Sequence, residues 1–154
     1  MRNFCQTLLA VIFVIVSASC SSAPSQFSTQ QQFENAKGLW QQKTSSNYDY
    51  TLKQQCYCLD ELTKPLRVSV REGTIVAVKN IETAEALPQN YWKDLYTVEA
   101  WFTVIEKALA KKAQKIEVIY DPNLGFPATI DIDIHSRLAD DDIRASITNV
   151  KLTD

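Results

Sequence analysis

The sequence predicts an α+β domain: an antiparallel sheet with two helices on one face, in the order helix, three strands, helix, three strands. Two segments place apolar residues three and four positions apart, the period of a helix face. Six others alternate or run apolar like half-buried strands. Hairpin-type links join the strands, and only two helices accompany them, which favours an antiparallel α+β layer over a doubly wound fold. The repeated order hints at duplication, although the two halves share too few residues to establish one.

The first helix is predicted over residues 30–43, where Phe33, Ala36, Leu39 and Trp40 recur at helical spacing. Gly38 weakens it by roughly 1 kcal/mol relative to alanine. Thr44-Ser45-Ser46-Asn47 supplies turn residues at its end. Residues 48–58 alternate like a strand, with Tyr48, Tyr50, Leu52, Gln54, Cys56 and Cys58 on one face and Asp49, Thr51, Lys53 and Gln55 on the other. A hairpin follows, residues 66–70 and 74–78, turned by Glu72-Gly73, because glycine accepts the positive φ of a tight turn. Residues 81–96 show no clear period; Pro88 and Asn90 mark a loop there, with an aromatic load in Tyr91, Trp92 and Tyr96.

The second helix is predicted over residues 97–112. Thr97 suits the N-cap, and Glu99 in the first turn suits the positive end of the helix dipole. Val98, Trp101, Phe102, Ile105, Ala108 and Leu109 make a wide apolar stripe. Strands are expected over 115–120, 128–134 and 143–152, the first two joined by the turn Asp121-Pro122-Asn123-Leu124-Gly125. Ile130, Ile132 and Ile134 alternate with Thr129, Asp131 and Asp133, so one face of the sheet is dry and the other wet.

Ahead of this domain lies a targeting signal. Met1-Arg2-Asn3 is a short positive start, residues 8–16 are uninterruptedly apolar, and Ser17-Ala18-Ser19 is a small-residue cleavage region before Cys20. The run falls short of the about 20 apolar residues a membrane-spanning helix needs. Small residues followed by cysteine resemble the bacterial lipobox, in which the thiol receives diacylglycerol before cleavage; Ser17 stands where leucine is usual. This reading makes 1–19 a lipoprotein signal peptide, Cys20 the lipidated residue, 20–29 a tether and 30–154 the single domain. Two alternatives stay open: an uncleaved anchor over 4–18, and an ordinary secretory signal cut after Ala18 or Ser19. Two or more acyl chains hold a protein stably at a membrane. Ser21 after the cysteine, in place of Asp, resembles the pattern of Gram-negative lipoproteins sent to the outer membrane rather than the inner one.

Charge narrows the partners. At 154 residues the chain has a formal net charge of −2 and no dense basic stretch, which argues against nucleic-acid binding. It also lacks a polybasic patch for anionic lipid. The expected membrane contact is therefore the lipid on Cys20.

Cys56-Tyr57-Cys58 is the sharpest chemical feature. Two strand rises place these α-carbons about 6.6 Å apart, near the upper end of the about 4.4–6.8 Å seen across disulfides. Closure in an oxidising compartment would favour a bend there. A structural disulfide, a pair of buried thiols, a redox-active dithiol and half of a metal site all remain open. The pair lacks the Cys-x-x-Cys spacing that lowers a thiol pKa at a helix start, and one histidine leaves a zinc set incomplete. Asp131, Asp133, Asp140, Asp141 and Asp142, with His135 among them, do not match a calcium loop and read as a solvated acidic face and turn. No nucleophile elbow or glycine-rich phosphate loop is present, so neither catalytic residues nor a cofactor or metal is expected. Tyr91, Trp92 and Tyr96 are candidates for a ligand groove, Trp92 foremost; aromatics at such spacing also serve as core.

Several motifs together resemble one uncharacterised bacterial family of small secreted or lipid-anchored proteins. They are Tyr48-Asp49-Tyr50 leading to Cys56-x-Cys58, the hairpin around Gly73, Thr97-Val98-Glu99 opening a helix, Tyr120-Asp121-Pro122 with Gly125-Phe126-Pro127, and the late Asp140-Asp141-Asp142. The resemblance implies export and a shared fold, and carries no activity with it. The expected function is a non-enzymatic envelope lipoprotein, anchored at Cys20 and facing the periplasm, that binds a protein, peptide or glycan. The alternative is a thiol–disulfide protein acting through Cys56 and Cys58. An envelope protein inhibitor also fits a domain of this kind.

Overall fold

Six strands form one sheet in the spatial order β3-β2-β1-β6-β5-β4, with every neighbouring pair antiparallel. The strands are β1 (Tyr48–Gln55), β2 (Leu66–Arg71), β3 (Thr74–Asn80), β4 (Lys115–Tyr120), β5 (Pro127–Asp133) and β6 (Ile143–Leu152). The computed structural model describes residues 28–44, 46–56, 58–134 and 142–153. The segment expected to be a signal peptide, with Cys20, and His135, Asp140 and Asp141, lie outside the described residues.

The helices are α1 (Thr29–Lys43), α2 (Asp60–Thr63) and α3 (Val98–Ala110), with a 3-10 helix over Gln89–Asp94. The expected order is therefore corrected: α2 interrupts the first three strands, and a 3-10 helix occupies the segment expected to be a loop. Neither is long enough for its periodicity to register in the sequence. A single buried residue, Leu62, secures α2. Helix α1 also starts one residue before its expected beginning, because the Ser28 hydroxyl accepts from the backbone N of Gln31 at 3.2 Å and caps it.

Strand β1 sits at the centre, between β2 and β6. Its inward residues Tyr48, Tyr50, Leu52 and Gln54 are buried, while Lys53 and Gln55 are exposed. The strand ends at Gln55, opposite Arg144, so the two cysteines stand beyond the ladder and not within it. The β2–β3 turn has two residues, Glu72 and Gly73, at φ 51° and 72°. Two successive positive φ values are the signature of the type I′ hairpin, whose twist matches that of the strands. The Asn47 side chain accepts from Glu72 N at 2.8 Å and steadies the residue that lacks glycine's freedom.

The core is aromatic where the helices meet the sheet. Trp40 of α1 packs edge-on against Tyr48 with ring centroids 5.0 Å apart, and Phe33 meets Phe102 of α3 at 6.0 Å. Thr97 caps α3 as expected, accepting from Ala100 N at 3.2 Å. Among the described residues no helix is long and apolar enough to cross a membrane.

Candidate functional site

Where β1 leaves the sheet, its last side chains, the 3-10 helix, α3 and the start of β6 enclose a cleft of about 720 Å³. Gln54, Gln55, Cys56, Cys58 and Leu59 form one side of it. Tyr91, Lys93, Asp94 and Tyr96 form another, Trp101 and Val104 come from α3, and Asp142, Ile143 and Arg144 close the edge.

Two inward side chains of β1 hold the wall in place. The Tyr50 hydroxyl donates to the Tyr96 carbonyl. The Gln54 amide nitrogen reaches the Asp94 carbonyl at 3.4 Å and Cys56 Sγ at 3.6 Å. Gln54 is the buried polar residue among the described core, 6% exposed. Its position on an otherwise apolar inward face is a signal the sequence carried, since a polar side chain there must find partners. Burial, followed by the charge of Glu99, raises the Tyr50 phenol well above its ordinary value, so it stays protonated and donating.

Cys56 and Cys58 line this cleft. Their α-carbons are 5.2 Å apart and their sulfur atoms stand within bonding distance. That separation is shorter than an extended strand allows, and the early end of β1 makes it possible. Of the three aromatic candidates, Tyr91 and Tyr96 line the cleft. Trp92 does not; its indole nitrogen donates to the Leu87 carbonyl at 3.2 Å, and its ring packs against the core. Trp101, expected only as part of a helix stripe, does line the cleft. Its ring is 2% exposed and meets Tyr96 with centroids 4.9 Å apart. Its Nε1 has no hydrogen-bond partner among the described residues.

Asp142 at the cleft edge, and Asp131 on the neighbouring strand, are engaged with cations. Arg144 reaches Asp142 at 2.8 Å and Asp131 at 3.4 Å, and Asp131 accepts from Lys115 at 2.8 Å. The Lys115 hydrogen bond holds the Asp131 carboxyl below its ordinary value, against the opposing effect of desolvation, with the charges of Lys115 and Arg144 adding to it. Lys93 and Asp94 are exposed and make no ion pair among the described residues. Among those residues no three His, Cys, Asp or Glu side chains gather as metal ligands.

No curated protein and no solved structure matches the chain. Residues 32–152 match the family of unknown function DUF6174, and the chain belongs to that family.

Proposed function

We propose that this protein is a cell-envelope lipoprotein, cut before Cys20, lipidated there and facing the periplasm. Its domain, with two helices over one face of the sheet, binds a peptide, a protein segment or a glycan in the cleft at the end of β1. The observation that carries this reading is the cleft itself. Its volume of about 720 Å³ falls within the roughly 300–1,000 Å³ typical of ligand sites. Its lining mixes aromatic rings, amides and charges of both signs, a surface suited to recognition. Among the described residues that line it no nucleophile and base are assembled, and the reading we propose is binding and not turnover.

Two measurements test the two halves of this reading. Intact mass spectrometry of protein from native membranes should show an acylated mature chain beginning at Cys20, and Cys20→Ser should release the protein from membranes. A non-acylated wild-type chain removes the anchor. For the cleft, full-length protein should be stabilised against heat by members of a peptide and glycan panel, and Tyr91→Ala, which trims a ring from the lining, should weaken that stabilisation. A panel that never stabilises the protein removes the binding reading.

The second reading is a thiol–disulfide protein working through Cys56 and Cys58. What favours it is that both cysteines line the cleft, Cys56 exposed and Cys58 half-buried. A bridge that survives millimolar glutathione in the folded protein sinks it.

A further inference from the structure

The three tryptophans differ in one respect. The indole nitrogen of Trp40 donates to Glu99 at 2.8 Å and that of Trp92 to the Leu87 carbonyl at 3.2 Å. That of Trp101, the tryptophan on the cleft, has no acceptor among the described residues although its ring is 2% exposed. Native structures leave few buried donors in that condition, because the water they gave up is not replaced. Gln54 supplies the complementary group. The Asp94 carbonyl can only accept, so the Gln54 NH₂ must face it, and Cys56 Sγ takes its other hydrogen. Oε1 is left as the group Gln54 can offer a ligand. One buried donor and one acceptor therefore belong to residues of the same cleft, beside aromatic rings, with Lys93 and Asp94 also lining it and without an ion pair among the described residues.

Building on the cleft-binding reading, we infer that the ligand is a short peptide with free charged ends, recognised through its backbone. A ligand carbonyl accepts from Trp101 Nε1, a ligand amide N–H donates to Gln54 Oε1, and a carboxylate and an ammonium pair with Lys93 and Asp94. The Tyr96 ring packs edge-on against the indole. It is 40% exposed, and its phenol holds no hydrogen bond among the described residues, so an entering ligand can displace it. An N-acetylated sugar offers the same amide, but a neutral one brings only hydroxyls, and no opposite charge, to Lys93 and Asp94. Two exposed charges of opposite sign, without an ion pair among the described residues, favour a peptide.

The test is an NMR titration of the full chain in detergent micelles, following the three indole N–H resonances assigned through Trp→Phe variants. The probes are a tripeptide library with free termini, the same library acetylated and amidated, and tri-N-acetylglucosamine. The free tripeptides should move the Trp101 indole resonance and leave those of Trp40 and Trp92 in place, and capping should weaken the effect. For a selected tripeptide, Trp101→Phe should weaken binding roughly two- to tenfold, the span of one neutral hydrogen bond, while the thermal midpoint moves little, because relief of the stranded donor offsets the cavity left by the smaller ring. The peptide assignment is overturned if the trisaccharide alone moves the indole. The donor role is overturned if cleft resonances respond to tripeptides while the Trp101 indole stays fixed or Trp101→Phe binds equally well. In both cases the cleft reading survives. Silence of every cleft resonance toward every probe overturns the cleft reading as well.

Discussion

Glu99 on α3 accepts a hydrogen bond from the indole nitrogen of Trp40 on α1 at 2.8 Å, so one carboxylate ties the two long helices together. Its second oxygen accepts from the Tyr48 hydroxyl of β1 at 2.5 Å. That phenol oxygen in turn accepts from Val98 N at 3.0 Å. A residue in the first turn of a helix, favoured there by the dipole, is thus also the joint between three elements.

Glu99→Ala should therefore cost about 1–3 kcal/mol for each of the two buried donors it strands, seen as a lower urea midpoint with an unchanged slope. Glu99→Gln should cost less, because it keeps one acceptor oxygen. Equal stability of all three proteins would mean that the joint contributes nothing.

The buried phenols predict an alkaline limit. Burial is the main cause that raises Tyr48, Tyr50 and Tyr120 above their ordinary value of 10.0; Glu99 raises Tyr48 further through its hydrogen bond and charge, and Tyr50 through its charge. Once the chain unfolds, these phenols ionise near pH 10, while in the folded state they do not. Stability from this source is complete below that pH and falls as the pH rises above it. Spectrophotometric titration should show these three tyrosines ionising only together with unfolding. Tyr120→Phe should remove part of the alkaline loss at little cost near neutrality, since its hydroxyl has no partner among the described residues.

Two turn glycines should behave differently on substitution. At Gly73, φ is +72° and an added Cβ meets nothing within 4 Å, so Gly73→Ala should cost only the left-handed conformation, roughly 1–2 kcal/mol. At Gly125, φ is +82° and a Cβ would lie 2.3 Å from the Ala36 carbonyl oxygen in α1. Backbone meets backbone there and cannot swing aside, so Gly125→Ala should cost about 2–5 kcal/mol. Denaturation curves of the two variants side by side check the order; the reverse order would contradict this packing.

Asp131 predicts an acid-side effect. Its carboxyl is held below the ordinary 3.8 chiefly by the hydrogen bond from Lys115. Its contribution is present above that ordinary value and fades as the pH falls through the folded one. Asp131→Asn should give a small loss at neutral pH that shrinks in high salt and vanishes in strong acid. A loss that persists in acid would point to packing and not to charge.

Much of the fold was legible because period is a local property. The alternation from Tyr48 to Gln54, the stripe from Val98 to Ala108 and the Glu72-Gly73 turn each follow from neighbours in the chain. What local pattern missed was short: α2 rests on one buried leucine, and the 3-10 helix Gln89–Asp94 buries no residue of its own. The site was legible in part. Tyr91, Tyr96, Cys56 and Cys58 were candidates and meet on one cleft, whereas Trp92 is half-buried against the core and does not line it. An indole can bury its face and donate its N–H to a nearby carbonyl, and no spacing rule tells that use from ligand contact.

By itself the sequence determined the class of domain, the identity of most strands, the dry and wet faces, and the turn that must carry glycine. These depend on side-chain period and on backbone sterics within a few residues. Only the tertiary structure decided that β1 lies between β2 and β6, that Gln54 and Tyr50 pin the carbonyls of Asp94 and Tyr96, and that Trp101 is the indole left without an acceptor. Those facts join residues about forty or more positions apart. Which distant groups meet is set by how the core packs and which buried polar atoms find partners, and that is a property of the whole chain.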